Sequence, residues 1–247
     1  MIPWLGDEFT FPPIGTALAE PNGLLAAGGN LAPGRILAAY EKGIFPWFSP
    51  GEPILWWSPN PRMVLLPTGL KISRSLARVL RNGRYRVQLD TVFGEVIAAC
   101  AATPRHGQSG TWITDEMQAA YTRLHELGYA HSVEVFMDDE LAGGLYGVAL
   151  GRAFFGESMF SWRSNASKIA LAHLCEHLKR EEFGIIDCQM ETAHLASLGA
   201  HTMARREFVA TLDRLTGVGR PPGRWPAHAV ADAFHSLAAG GGNRNAL

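Results

Sequence analysis

Hydrophobic and polar positions follow two different patterns along this chain of 247 residues, and the change falls near residue 62. Residues 1–62 are rich in proline, glycine and aromatic side chains. They contain one segment of helical pattern, Pro33–Lys42, which begins with proline and ends before Gly43. We therefore predict a small N-terminal domain over residues 1–62, whose irregular backbone is held by the packing of aromatic rings.

Beyond residue 62 the pattern is that of a mixed α/β sheet. Short apolar runs or strict alternation predict strands, and apolar residues that recur every three or four positions predict helices. The predicted strands are MVLL from Met63, Arg84–Leu89, His131–Met137, LAGGLYGVAL, RAFFGE and IIDCQM, and the predicted helices are Ser73–Arg81, Thr91–Ala101, Thr114–Leu127 and Ala166–Arg180. Residues 63–216 form the predicted second domain. Residues 217–247 lose all periodicity and are predicted to be a loose C-terminal tail.

The composition favours a packed, soluble protein. Apolar residues make up 47% of the chain and charged residues 18%, which argues against disorder. The N-terminal MIPWLGDEF lacks the features of a signal peptide, and no apolar run is long enough to span a bilayer, so we expect a cytoplasmic protein without a membrane partner. The three cysteines are odd in number and widely spaced, which argues against a disulfide framework.

One short segment is strongly basic although the formal net charge of the chain is only −1. Lys71–Leu89, KISRSLARVLRNGRYRVQL, carries six cationic residues and no acidic one. Arg74, Arg78 and Arg81 share one face of the predicted helix. An arginine face without acidic partners suits phosphate groups, which guanidinium binds through two hydrogen bonds at once. A merely solvated face is the alternative interpretation.

Polar side chains with possible chemistry stand at the ends of two predicted strands. Glu157 ends one apolar strand, and Asp187 and Gln189 end another, where their spacing places them on the same face of the sheet. A carboxylate among apolar neighbours needs a partner, so Asp187 is either a site residue or a purely structural acceptor of backbone N–H groups. His173 and His177 lie four residues apart on a helix, but Cys175 points away from them, and we expect no metal site.

The predicted order of elements, β-β-β-α-β with helices before it, resembles the core of GNAT-type acyltransferases. That resemblance implies an α+β (mixed α/β) fold with a GNAT-like acyltransferase core and a small N-terminal domain. It also raises coenzyme A as a donor. However, the segment SMFSWRSNASK has no glycine where that family binds pyrophosphate with a glycine-rich loop. A coenzyme A-dependent N-acetyltransferase is therefore the alternative function, and a non-catalytic module that binds RNA or proline-rich peptides is a third.

Longer runs resemble one particular family, the leucyl/phenylalanyl-tRNA–protein transferases. These runs include EPNGLLAAGGNL, GIFPWFSPGEPILWWSPNPR, GTWIT, FFGESMFS, IDCQ and ASLGA, and they cover about residues 19–216 in order. The resemblance implies an enzyme that moves Leu or Phe, and less well Met, from aminoacyl-tRNA to the N-terminal Arg or Lys of acceptor proteins. Such an enzyme serves N-end rule degradation and needs no ribosome, ATP, cofactor or metal. We also expect it to be a monomer.

The resemblance assigns roles to individual residues. The catalytic residues are Asp187, Gln189 and Glu157, and the terminal adenosine is held by Trp47, Trp112 and Tyr121. The implied aminoacyl pocket comprises Leu145, Phe154, Met159, Leu171, Leu174 and Leu178, and the implied tRNA-binding residues are Arg74, Arg78, Arg81 and Arg84. The chain departs from the family at Thr192, where relatives usually carry Asn in a hydrogen-bond relay. We further predict that Trp47 is more exposed than Trp56 and faces Trp112 and Tyr121.

Overall fold

The computed structural model describes residues 2–103, 112–219, 221–228, 230 and 234. The N-terminal part forms a small sheet in the strand order β1-β2-β4-β3. Its elements are β1 (Trp4–Leu5), β2 (Leu24–Gly28), helix α1 (Pro33–Glu41), β3 (Phe45–Pro46) and β4 (Leu55–Trp57). No described helix combines the length and the apolarity needed to cross a bilayer.

A second, larger sheet has seven strands in the order β11-β5-β10-β9-β8-β7-β6. These strands are β5 (Arg62–Leu65), β6 (Arg86–Leu89), β7 (Ala130–Met137), β8 (Glu140–Leu150), β9 (Ala153–Ser161), β10 (Ile185–Asp187) and β11 (His201–Met203). The helices are α2 (Arg74–Asn82), α3 (Phe93–Ala102), α4 (Asp115–Glu126), α5 (Ala166–Arg180), α6 (Ala193–Ser197) and α7 (Arg205–Leu215). The pair β9–β10 is parallel, and the other neighbouring strands are antiparallel.

The three antiparallel strands β7, β8 and β9, followed by helix α5 and the parallel strand β10, form the predicted GNAT-like core. The mixed α/β fold class is therefore confirmed. The helix predicted over Ala166–Arg180 is α5 as observed. The side chains of Ser73 and Thr114 cap the N-termini of α2 and α4 by accepting hydrogen bonds from backbone N–H groups.

Strand β10 is shorter than predicted. It ends at Asp187, because Gln189 has a backbone φ of 60° and so leaves the extended conformation. After that turn, the chain remains hydrogen-bonded to β5 through Met63, whose carbonyl accepts from the N–H of Cys188 and whose N–H donates to the carbonyl of Gln189. The chain therefore leaves β9 while it still follows β5.

Aromatic packing joins the N-terminal part to one face of the large sheet. Trp56 is fully buried, and its indole N–H donates a 2.9 Å hydrogen bond to the carbonyl of Gly28. The same apolar cluster contains Tyr40 of α1, Tyr121 of α4 and Phe155 of β9. Trp47 is half-buried, so the prediction that it is more exposed than Trp56 is confirmed.

The segment after residue 220 packs on the opposite side of the molecule, beside α5. The indole of Trp225 stacks on the imidazole of His131 with 4.0 Å between ring centroids, and its backbone N–H donates a 2.8 Å hydrogen bond to Asp90. Further along, the carbonyl of Val230 lies 3.0 Å from Nδ1 of His173. The prediction of a loose tail from residue 217 is therefore wrong for the described residues 221–228, 230 and 234, and residues 220, 229, 231–233 and 235–247 lie outside the described residues.

Candidate active site

The two parallel strands β9 and β10 separate at the point where the predicted catalytic residues lie. Their last paired residues are Phe155 and Asp187, whereas β9 continues to Ser161. Because β10 ends while β9 continues, a wedge-shaped gap opens between the two strands. Glu157 and Gln189 stand on its two sides, and the side-chain amide of Gln189 donates a 2.7 Å hydrogen bond to Oε1 of Glu157.

A β-bulge places Glu157 at this gap. On β8, Tyr146 pairs with Ser158 and Gly147 pairs with Gly156, so Glu157 has no partner of its own. The bulge also resets the alternation of the strand. Met159 consequently packs in the apolar cluster on the α5 side, whereas Glu157 reaches the tyrosines of α1 and α4 on the other side.

Glu157 forms a compact ring of hydrogen bonds with two tyrosines. The hydroxyl of Tyr40 donates to Oε1 at 2.6 Å, the hydroxyl of Tyr121 lies 3.1 Å from Oε2, and the two hydroxyl oxygens are 2.5 Å apart. Two hydroxyl protons cannot supply three contacts of this kind. When Glu157 is ionised, both tyrosine hydroxyls donate to it and no proton is left for the contact between them. When Glu157 is protonated, it donates to Tyr121, Tyr121 to Tyr40 and Tyr40 to Glu157, and all three contacts are satisfied.

The environment of Glu157 also favours its neutral form. Burial raises the pKa of Glu157 to about 7, against the opposing effect of the hydrogen bonds from Tyr40 and Tyr121. The negative charge of Asp187 raises this pKa further, and the positive charge of Arg62 lowers it. Burial together with the negative charge of Glu157 holds the pKa of both tyrosines well above its ordinary value, so these hydroxyls keep their protons. Glu157 is thus a carboxyl group able to exchange a proton near neutral pH.

Asp187 is paired with a buried arginine. Nε of Arg62 donates to one carboxylate oxygen at 2.7 Å and Nη2 donates to the other at 2.6 Å, and both side chains are fully buried. The guanidinium also donates to the carbonyl of Gly43 at 3.2 Å and lies over the rings of Phe45 and Phe208. This fork-to-fork geometry fixes Asp187 and neutralises its charge.

Asp187 in turn fixes the unusual backbone of Gln189. Its Oδ1 accepts a 2.9 Å hydrogen bond from the backbone N–H of Gln189, which holds the left-handed conformation. The side chains of Asp187 and Gln189 are therefore not directly linked, and Glu157 is the carboxylate bonded to the amide of Gln189. Glu157 therefore contacts the side chain of Gln189, whereas Asp187 contacts its backbone.

Two of the three rings predicted to hold an adenosine have exposed surface. Trp47 and Trp112 are half-buried and pack against the same apolar cluster. Tyr121, in contrast, is fully buried, and its hydroxyl is bonded to Tyr40 and Glu157. The aromatic ring of Tyr121 has no open face on which a base can stack, and its hydroxyl belongs to the ring of hydrogen bonds around Glu157. The adenosine-stacking role predicted for Tyr121 is therefore wrong in this structure. That Trp47 faces Trp112 stays a prediction.

The six residues of the predicted aminoacyl pocket pack together on the α5 side of the sheet. Leu145 and Met159 are cross-strand neighbours on β8 and β9, and both lie in one apolar cluster with the others. Met159 is half-buried, whereas the remaining five are buried: Leu145, Phe154, Leu171, Leu174 and Leu178. Met159 is therefore the most accessible of the six side chains.

The predicted tRNA-binding arginines are all exposed on or just after helix α2. Arg74, Arg78, Arg81 and Arg84 make no salt bridge with any acidic residue in the part of the chain that the structure describes. Leu76 and Leu80 of the same helix are buried against the sheet. The helix is thus amphipathic, with an unpaired cationic outer face.

Thr192 does not take part in the hydrogen-bond network of the gap. Its hydroxyl caps helix α6 by accepting a 3.2 Å hydrogen bond from the N–H of Leu195, and its side chain is exposed. The relay that family members are expected to build through this position is absent from the described contacts of Asp187 and Gln189.

The sequence predicted no role for two residues of the site, Arg62 and Tyr40. Arg62 is the last residue of the run SPNPR, and Tyr40 is the penultimate residue of α1. A signal for Arg62 did exist, because a buried aspartate on β10 requires a cationic partner. Nothing in the local sequence indicates which arginine supplies it, since 125 positions separate the two residues.

Two family models and two curated relatives of high identity describe the same kind of protein. The family model described as leucyl/phenylalanyl-tRNA protein transferase matches residues 64–213, and the model of that family's N-terminal domain matches residues 29–60. A curated leucyl/phenylalanyl-tRNA–protein transferase of Azoarcus sp. (strain BH72) is 62% identical over 94% of this chain and 98% of its own length. The enzyme of the same name from Chromobacterium violaceum is 60% identical over 92% of this chain and 97% of its own length.

Among solved structures, a GCN5-related N-acetyltransferase from Kribbella flavida matches with a TM-score of 0.36 and 10% sequence identity, over 68% of this chain and 59% of its own. The family models and the curated relatives cover both the N-terminal part and the GNAT-like core. The chain therefore belongs to the leucyl/phenylalanyl-tRNA–protein transferase family of aminoacyltransferases.

Proposed function

We propose that this aminoacyltransferase moves Leu or Phe, and less well Met, to proteins that begin with Arg or Lys, and thereby marks them for N-end rule degradation. The observation that carries this proposal is the position of Glu157. Its carboxyl group is buried at the gap between β9 and β10 and is bonded to Gln189, Tyr40 and Tyr121.

The charge balance of the site supports a cationic acceptor residue. Arg62 neutralises Asp187, whereas no arginine or lysine in the described chain forms a salt bridge with Glu157. When ionised, Glu157 therefore supplies an uncompensated negative charge, which favours an N-terminal Arg or Lys over a neutral or acidic residue.

Glu157 and Gln189 prepare the acceptor amine for attack. Nε2 of Gln189 donates to Glu157, and no described group donates to Oε1 of Gln189. This amide oxygen can therefore accept a hydrogen bond from the α-amine and orient it. The α-ammonium group, whose pKa is about 8, passes a proton to Glu157, whose pKa is about 7. Proton transfer between groups of such similar pKa is nearly balanced, so no strong base is required.

The reaction then needs no cofactor, because the aminoacyl ester is already activated. The amine nitrogen attacks the ester carbonyl carbon, a C–N bond forms, and the bond from that carbon to the ribose oxygen breaks. The second proton lost by the nitrogen ends on the ribose oxygen, so the products are the extended polypeptide and tRNA. Most of the catalytic effect then comes from holding the two reacting groups together.

The donor is bound by three surfaces in this proposal. The terminal adenosine stacks on Trp47 and Trp112, which contributes about 1–3 kcal/mol per base. The Leu or Phe side chain enters the apolar cluster past Met159, whose flexible thioether accommodates different shapes. The tRNA backbone lies along Arg74, Arg78, Arg81 and Arg84. All these residues come from one chain, and we propose that a monomer is active.

The decisive experiment measures transfer of labelled Leu from Leu-tRNA, without ATP, to peptides that differ only in their first residue. Arg- and Lys-starting peptides should be modified, and Ala- and Asp-starting ones should not. Equal transfer to all four peptides would contradict the proposed acceptor class. Light scattering of the active fraction measures its molar mass and so tests whether the active species is a monomer. A dimeric mass for all of the active protein would exclude an active monomer.

A further inference from the structure

The pairing of β10 with the edge of β9 that faces the gap ends at Phe155. Strand β10 pairs with β9 only over residues Ala153–Phe155, yet β9 continues to Ser161 and is paired there on its other edge with β8. Over residues 159–161, no strand in the described ranges covers the open edge. Exposed strand edges present unpaired N–H and C=O groups in a fixed row.

The surroundings of this edge are accessible. Met159 is half-buried and Ser161 is exposed, whereas the strand is buried at Phe154 and Phe155. Two exposed large apolar side chains follow the ends of the two sides of the gap in sequence. Trp162 follows the end of β9 and is 58% exposed, and Met190 follows Gln189 and is 40% exposed. The gap is thus closed at its base, where Glu157 is buried, and open at its mouth, where Ser161 is exposed.

We propose that the acceptor polypeptide binds as an added strand along this edge of β9. This inference rests on the proposed function, which places the acceptor α-amine at Glu157 and Gln189. From that point the acceptor main chain passes residues 159–161 and leaves the gap between Trp162 and Met190. Since a strand rises about 3.3 Å per residue, the edge accommodates the two to four acceptor residues that follow the first.

The position of the amine fixes the direction of the added strand. Glu157 lies at the base of the gap and Ser161 at its mouth, so a chain whose N-terminus is at Glu157 runs parallel to β9. The antiparallel direction would place the N-terminus about 10 Å or more from Glu157, at the wrong end of the gap. The added strand therefore continues the direction of β10 from the point where β10 leaves the sheet.

This mode of binding suits an enzyme whose acceptors are proteins of different sequence. Main-chain hydrogen bonds to a strand edge provide affinity without reading the side chains of the bound segment. Selectivity then resides in the first residue, beside Glu157, whereas the following residues contribute through their backbone. Trp162 and Met190 add apolar contact that tolerates different side chains.

The test uses acceptor peptides whose backbone N–H groups are removed one at a time. In an Arg-starting octapeptide, each amide of residues 2 to 4 is replaced by an ester, which removes the donor without adding bulk, and separately by an N-methyl amide. Because alternate amides of a strand point to the same side, the replacements should lower kcat/KM at alternating positions, by roughly tenfold at the sensitive ones. Replacements at residues 6 and 7 are the matched controls and should have no effect.

The outcomes separate this inference from the proposed function. Transfer to the unmodified octapeptide with equal kcat/KM for every ester and N-methyl variant would overturn the added strand and leave the proposed function standing. No transfer to any Arg-starting peptide, with active donor present, would overturn the proposed function itself. A uniform loss at residues 2 to 4, without alternation, would also contradict pairing as a strand.

Discussion

The amide of Gln189 donates a 2.7 Å hydrogen bond to Oε1 of Glu157 across the point where strands β9 and β10 separate. Glu157 receives this bond at a β-bulge, and Gln189 donates it from a left-handed backbone. Each residue therefore stands at a local irregularity of its strand, and the contact between them closes the base of the gap. Irregular backbone of this kind is typical of sites where side chains must be aimed at a substrate.

Replacing Glu157 by Gln should remove a pH dependence of activity. With wild-type enzyme, kcat/KM should fall as the pH drops through about 7, because protonated Glu157 cannot accept the α-ammonium proton. The Glu157→Gln variant should lose about 100-fold in rate and should lack this inflection. A pH–rate profile of both proteins is the measurement, and an unchanged inflection in the variant would rule out Glu157 as its source.

The Glu157→Gln substitution should also change the free energy of unfolding. The contribution of Glu157 to stability falls as the pH rises, whereas its contribution to activity falls as the pH drops. The pKa of Glu157 is raised by burial from 4.5 to about 7, so its stabilising contribution is present at low pH and is lost as the pH rises from about 4.5 to about 7. Relative to wild type, Glu157→Gln should therefore gain up to about 3 kcal/mol in free energy of unfolding across that window. Urea titrations at pH 5 and 8 measure the gain, and the buried Glu134, whose pKa is also raised to about 7, is present in both proteins and cancels.

Two substitutions of Arg62 should distinguish the effect of its positive charge from the effect of its two-pronged hydrogen bonding to Asp187. Arg62→Ala leaves Asp187 buried and unpaired and should cost about 3–5 kcal/mol of stability. Arg62→Lys keeps the charge but loses the two-pronged contact, so it should fold and lower kcat at least tenfold with little change in the KM for Leu-tRNA. Arg152→Lys, in an exposed pair with Glu182, is the matched control and should be neutral. Full activity of Arg62→Lys would show that Arg62 has a structural role only.

Removing the basic face of α2 should weaken tRNA binding specifically. Substitution of Arg74, Arg78, Arg81 and Arg84 by Ala should raise the KM for Leu-tRNA and flatten its dependence on salt, by about 0.7 to 0.9 in log–log slope for each phosphate that is no longer neutralised. Transfer from a minimal aminoacyl-adenosine ester should change little. Substitution of three exposed arginines on other helices, Arg123, Arg206 and Arg214, provides the control. Equal losses with both donors would instead indicate a structural role for the basic face.

The packing of the C-terminal segment should be visible in stability. Trp225→Ala removes the ring stacked on His131 and should lower the free energy of unfolding by about 2–4 kcal/mol. Trp162→Ala, at an exposed position, should be within about 0.5 kcal/mol of wild type. Chemical denaturation of the two variants measures the difference, and equal midpoints would mean that the segment contributes nothing to the fold.

The buried pair of Asp90 and His131, which contacts Trp225, should make the stability of the protein depend on pH in the acid range. Burial alone would raise the pKa of Asp90, but the hydrogen bond from His131 and its charge, with the N–H groups of Trp225 and Ser132, lower it overall. The stabilising contribution of Asp90 is therefore present above its unfolded pKa, about 3.9, and is lost as the pH falls through its lower folded value. Asp90→Asn should unfold at lower urea concentration at pH 7, with the difference shrinking towards pH 3.

The sequence by itself determined the elements that depend on local pattern. The strands β7 and β8, the cap Thr114 and the bounds of α5 follow from alternation, helical spacing and capping chemistry over a few neighbouring residues. Strand β9, in contrast, was predicted to end at Glu157 but continues to Ser161. The order of the predicted elements identified the GNAT-like core, and the cationic helix was evident from residue type alone. The shared runs of sequence identified the family, because each run preserves a local feature in its place.

Tertiary structure decided everything that depends on contacts between distant segments. Strict alternation would put Glu157 and Met159 on one face, and only pairing with β8 creates the bulge that separates them. The partner of Asp187 comes from 125 positions away, and Tyr121 is enclosed because α1 brings Tyr40 against it. The absence of periodicity from residue 217 predicted a loose tail, yet Trp225 is held in place by stacking on His131. Long-range hydrogen bonds and ring contacts have no local sequence signature, which is why the chemistry of the site emerged only from the fold.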